Sequence, residues 1–60
     1  MIKWVQVRHD GGKVMIRADL ITKIQELYDP SPGAAVFFQD GGAERFYGPN
    51  AYADLQKGLL

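Results

Sequence analysis

Cysteine is absent from this chain, and histidine occurs once, as His9. The first absence rules out disulfides and thiolate metal sites, and the second leaves a single imidazole for any histidine-based centre. No apolar run is long enough to span a bilayer. An excess of charge is also missing: seven basic residues meet seven acidic ones, for a formal net charge of zero. Such a chain exerts no overall pull on nucleic acid or anionic lipid. Size is the remaining shortage. A chain of 60 residues buries only about 60% of the surface its unfolded form exposes, so domains this small often lean on a disulfide, a metal or association. Association is the support left open to this one. The expectations are a single domain over residues 1–60, no cofactor, no metal, no membrane contact and no small-molecule substrate. Met1-Ile2-Lys3-Trp4 runs directly into a strand-like segment without a signal-peptide apolar stretch, so a cytoplasmic protein is expected.

What the chain does have is a repeated phrase. Asp10-Gly11-Gly12 and Asp40-Gly41-Gly42 each lie between runs rich in β-branched and aromatic residues, and Ala18-Asp19-Leu20 and Ala53-Asp54-Leu55 follow them. Asp-Gly between apolar runs signals a hairpin, because glycine reaches positive φ without a Cβ clash. Ile2 to Arg8 and Val14 to Ile16 therefore form a first hairpin with a three- or four-residue connection. Ala35 to Gln39 and Arg45 to Tyr47 form a second. Leu20, Ile21, Ile24, Leu27 and Tyr28 recur at helical spacing; the rival reading is one helical turn over 19–22 and a strand over 23–28, and we expect the latter. Asp29-Pro30-Ser31-Pro32-Gly33 is a loop. A short helix follows Gly48-Pro49-Asn50, with Asn50 or Pro49 at its start, an apolar stripe of Tyr52, Leu55 and Leu59, and its end at Gly58. The fold class is α+β: two β-hairpins, about five short strands in a curled sheet, and one C-terminal helix. The two halves read as a loose internal duplication.

Chemistry has few places to reside. Ser31 sits between two prolines, no nucleophile has a base at a compelling spacing, and a domain this small rarely encloses a pocket of ~300 Å³ or more. His9-Asp10 reads as a strand-end histidine beside a turn aspartate bonding its own backbone, and Asp40 reads the same way. The chain is expected to be non-catalytic. The aromatic residues carry more information. Phe37 and Phe38 are adjacent, as are Phe46 and Tyr47, so both faces of the second hairpin carry rings, whereas a sheet with one wet face alternates apolar with polar. Trp4 joins them as a candidate contact. These five residues are the expected protein interface, with another protein or a second copy of this chain, in a homodimer, as partner. The alternative is a nucleic-acid-binding regulator using Lys3, Arg8, Lys13 and Arg17 on the first hairpin, residues that otherwise serve as edge-strand protection.

Met1-Ile2-Lys3, Ala18-Asp19-Leu20-Ile21, Ile24, Val36, Asp40-Gly41 and Tyr47 give the chain a resemblance to the FlbD-type small flagellar proteins. That resemblance implies a strand, a turn, three further strands and a terminal helix in a non-catalytic accessory protein, with no active site to carry over. Arg17 stands where those proteins usually have Asn. Lys13 to Leu59 also resembles the first part of a LytTR-type DNA-binding domain. The role expected is a small interaction module: a regulator, accessory subunit or phage-type inhibitor.

Overall fold

The computed structural model describes residues 2–60. Strands β1 (Trp4–His9) and β2 (Gly12–Arg17) form the first hairpin, and a single 3-10 turn (Ala18–Leu20) leads into β3 (Ile21–Leu27). Strands β4 (Gly33–Phe38) and β5 (Ala43–Tyr47) follow, and helix α1 (Ala51–Leu59) completes the fold. All pairings are antiparallel, and the five strands divide into a two-stranded sheet, β1–β2, and a three-stranded sheet ordered β3–β4–β5. The α+β layout with a C-terminal helix is the one the sequence predicts.

The first turn is tighter than expected. His9 pairs with Gly12, so only Asp10 and Gly11 connect the strands. Gly12 and Gly41 take φ of +131° and +91°, a region closed to side chains with a Cβ. The two Asp-Gly-Gly phrases thus use different glycines for their unusual residue.

The segment after the first hairpin is a turn followed by a strand, despite its helical spacing. A bulge between Ile21 and Lys23 shifts the β3–β4 register. That extra residue lets Ile21 and Ile24 both pack against the core from a strand.

Cross-strand register sorts the faces. Ala34, Val36 and Phe46 point inward, where they meet Val5, Val7 and Ile16 of the first hairpin and Ala51 and Leu55 of the helix. Val7, Val36 and Leu55 are fully enclosed. The helix packs chiefly on β1. It does not end at Gly58 as its glycine suggests, but passes through to Leu59. Gly58 serves packing instead: a Cβ there would lie 2.8 Å from Val5 Cβ, so only glycine lets the last turn settle on β1. Leu59, expected in the apolar stripe, is exposed. Asn50 occupies the N-cap position, yet its side chain makes no capping bond.

The two sheets are joined by few backbone bonds. Asp10 N–H donates to the Tyr47 carbonyl at 2.7 Å, linking the first turn to the end of β5.

Candidate functional site

The five aromatic candidates are not brought together. Phe46 is in the core, and Phe38 packs against it from the same face. Phe37 and Tyr47 are half-buried on the opposite face, as alternation along β4 and β5 requires. The Lys23 ammonium stands 4.5 Å from the centre of the Phe37 ring, so a cation already occupies that face of the aromatic. Ala35, on the same outer face, is nearly enclosed and is flanked in register by Gln25 and Arg45. Three of the four rings of the second hairpin are thus covered within the chain, Phe38 and Phe46 by the core and Phe37 by Lys23.

Trp4 is different. It lies on β1 with its ring on the outer face, opposite Arg17, while Met15 stands opposite Gln6 on the same face. That makes Trp4 and Met15 diagonal neighbours, a separation of ~7–8 Å that long side chains bridge. They are 55% and 51% exposed, and one side of Trp4 borders a cleft it shares with Lys57, Gly58 and Leu60 at the end of α1. Ile2, also largely exposed, precedes them.

The basic candidates are mostly engaged. Arg8 grips Asp54 with two bonds, Nε to Oδ2 at 2.9 Å and Nη2 to Oδ1 at 2.7 Å, and its backbone N–H donates to the same carboxylate at 2.9 Å. Arg17 does likewise with Asp19, at 3.2 and 2.6 Å, and the Lys3 N–H donates to Asp19 at 3.4 Å. The Lys3 ammonium donates to the Leu60 carbonyl at 3.3 Å. Lys13 alone of the four has no hydrogen-bonded or ionic partner among the described residues. The expected nucleic-acid cluster is thus two closed ion pairs plus Lys3 and Lys13, not a row of free cations.

Sequence reading missed these pairs, although it singled out their signal. Both Ala-Asp-Leu phrases place their aspartate against an arginine of the first hairpin and under a backbone N–H at one end of β1. The bonds from Arg8 hold the Asp54 carboxyl down at about 2. Those from Arg17 lower Asp19 in the same way.

His9 and Asp40 play local parts. His9 Nδ1 accepts the Gly11 N–H at 3.1 Å, and its ring lies 5.7 Å from that of Phe46. The turn bond expected of Asp10 is therefore made by the imidazole. Asp40 does make the expected bond, accepting the Gly42 N–H at 2.8 Å. Ser31 is exposed in the loop between β3 and β4. Among the described residues, no helix is long and apolar enough to cross a membrane.

No protein-family model, characterised protein or solved structure matches this chain.

Proposed function

We propose that this protein is a non-catalytic interaction module that binds another protein chain through the outer face of its first hairpin. One observation carries the reading: Trp4 and Met15 are diagonal neighbours on the outer face of the hairpin, each about half exposed. Tryptophan is among the residues most enriched at the centre of protein interfaces, and methionine adapts to irregular partners. The surrounding groups suit a rim. Gln6 is polar, and the Arg8–Asp54 and Arg17–Asp19 pairs present charge that is already balanced. The non-catalytic part rests on His9, whose accepting nitrogen is engaged by its own turn, and on Ser31, which sits in an exposed loop and hydrogen-bonds to no base among the described residues. A regulator or accessory subunit is the role this surface suits, in keeping with the FlbD-type resemblance.

The experiment is site-specific photocrosslinking. A photoreactive phenylalanine analogue at position 4 or 6 should trap a defined protein in the source cell, and the same probe at position 37, beneath Lys23, should not. Equal yields from both faces, or none from either, would remove the reading. Trp4 is the single tryptophan, so its fluorescence offers a second readout: the emission should shift to the blue when the isolated target is added.

A further inference from the structure

We infer that β2 pairs edge to edge with the β2 strand of a second copy, antiparallel about a two-fold axis through Met15, joining two first hairpins into one four-stranded sheet. The inference builds on the binding reading above and adds what that reading leaves open: how the bare face becomes wide enough to hold a partner.

The first observation is an open backbone edge. Ala18 N–H donates to the Lys3 carbonyl at 2.7 Å. Counting along the register, the bonded pairs of this ladder are Val5 with Ile16 and Val7 with Val14. The N–H and C=O groups of Lys13, Met15 and Arg17 then point away from β1. None of them has a partner among the described residues, and β2 has β1 as its one strand neighbour. Unpaired rows of this kind are templates for a further strand.

The other edges are partly engaged or offer a shorter row. On β1 the outward N–H of Arg8 is taken by Asp54, with α1 alongside. On β5 the outward carbonyl of Tyr47 accepts from Asp10. β3 keeps an even register only from Lys23 to Leu27, beyond the bulge between Ile21 and Lys23, so its row is reduced to the outward groups of Ile24 and Glu26.

The second observation is what the edge would meet. Lys13-Val14-Met15-Ile16-Arg17 has the same character in either direction: basic, aliphatic, methionine, aliphatic, basic. Antiparallel pairing about Met15 sets Met15 against Met15 and Val14 against Ile16. Isologous contacts require this self-complementarity. Lys13 would face Arg17 of the other copy, and like charges directly opposite repel. Here Arg17 arrives already joined to Asp19. The Lys13 ammonium, without a carboxylate of its own, therefore faces a balanced pair that includes a carboxylate oxygen.

The consequence is a continuous outer face ordered Trp4, Met15, Met15, Trp4 across the axis. One copy offers two large apolar side chains, and the pair offers four.

The absence of cysteine makes the test direct. In this pairing the two Met15 residues exchange both backbone bonds, at a Cα separation of about 5.5 Å, within the disulfide range. Met15→Cys should therefore cross-link to itself under mild oxidation at least about tenfold faster than Lys13→Cys or Ser31→Cys, given the local concentration the dimer imposes. Sedimentation equilibrium of the unaltered chain should show a monomer–dimer equilibrium. Equal rates for the three cysteine variants, or a monomer at every concentration up to the millimolar range, would overturn the inference. If Met15→Cys fails to link while the probe at position 4 still traps another protein, the edge pairing falls and the binding reading stands. If Met15→Cys links and position 4 traps nothing but a second copy, the pairing stands and the search for another partner ends.

Discussion

In the three-stranded sheet the outward-facing Phe37 lies beneath the Lys23 ammonium, whereas in the two-stranded sheet Trp4 and Met15 stand half in water. Both sheets pack one face on the same core. They differ in what their other face is given. β3 supplies Lys23 and Gln25 and β5 supplies Arg45, whose long stems can lie across apolar neighbours while their polar ends reach solvent. The first hairpin has arginines too, but Asp19 and Asp54 hold them in ion pairs at the two ends of β1. Trp4 faces one of these pairs directly across the hairpin, since Arg17 is its register partner.

The largest test removes what binds the two sheets together. Leu55 is fully enclosed, and Leu→Ala at such sites costs about 2–5 kcal/mol, against a total stability of only about 3–9 kcal/mol for a domain of this length. Leu55→Ala should leave the protein largely unfolded by circular dichroism. If amide exchange instead shows the first hairpin opening while β3–β5 stay protected, the sheets are separate cooperative units and the comparison becomes one of stability as well as covering.

Gly58→Ala comes next. In an open helix this change gains up to about 1 kcal/mol; against Val5 it should instead cost about 1–3 kcal/mol through overpacking. Val5→Ala in the same chain should recover part of the loss, a non-additivity readable from urea midpoints.

Asp54→Ala deletes three hydrogen bonds at the end of β1 and should cost about 1 kcal/mol, most of it from the bond to the backbone because solvent screens the ion pair. The effect carries a pH signature. The folded-state carboxyl lies near 2, below its ordinary 3.8. Its contribution is therefore complete above 3.8 and fades as the pH falls through about 2. Urea midpoints of the variant and the parent should converge over that interval and run parallel above it.

The smallest effect is expected at the bare face itself. Trp4→Ala and Met15→Ala should change the stability of the dilute, isolated chain by no more than about 0.5 kcal/mol, while weakening any association measured by sedimentation. A large loss of stability would mean that these side chains are packed after all, and the contrast between the sheets would disappear.

Much of the architecture is legible in the chain because turns are local. Asp-Gly-Gly, the proline loop and Gly-Pro-Asn mark the element borders within a few residues. The segment from Leu20 to Tyr28 misleads by periodicity: β3 has a bulge and spreads its apolar residues over both faces, so spacings of three and four arise without a helix. The aromatic surface was legible only by halves. Alternation separates Phe37 from Phe38 but does not say which of them turns inward, because that depends on where the first hairpin and the helix dock. Arg8 and Asp54 lie 46 residues apart, and nothing local pairs them. The repeated Ala-Asp-Leu was visible, and its meaning came only with the distances.

One last consequence follows from the way α1 settles on β1, with the Lys3 ammonium on the Leu60 carbonyl at 3.3 Å. The first strand and the last helix are spatial neighbours separated by nearly the whole length of the chain, so the contact that seats the first hairpin is also the one that closes the longest loop. A circular permutant joining residue 60 to residue 2 by a short glycine linker, and opened in the exposed loop at Ser31, would make that contact a local one. Such a chain should fold faster than its parent to the same architecture, with its hairpin and helix as a single sequence-contiguous unit.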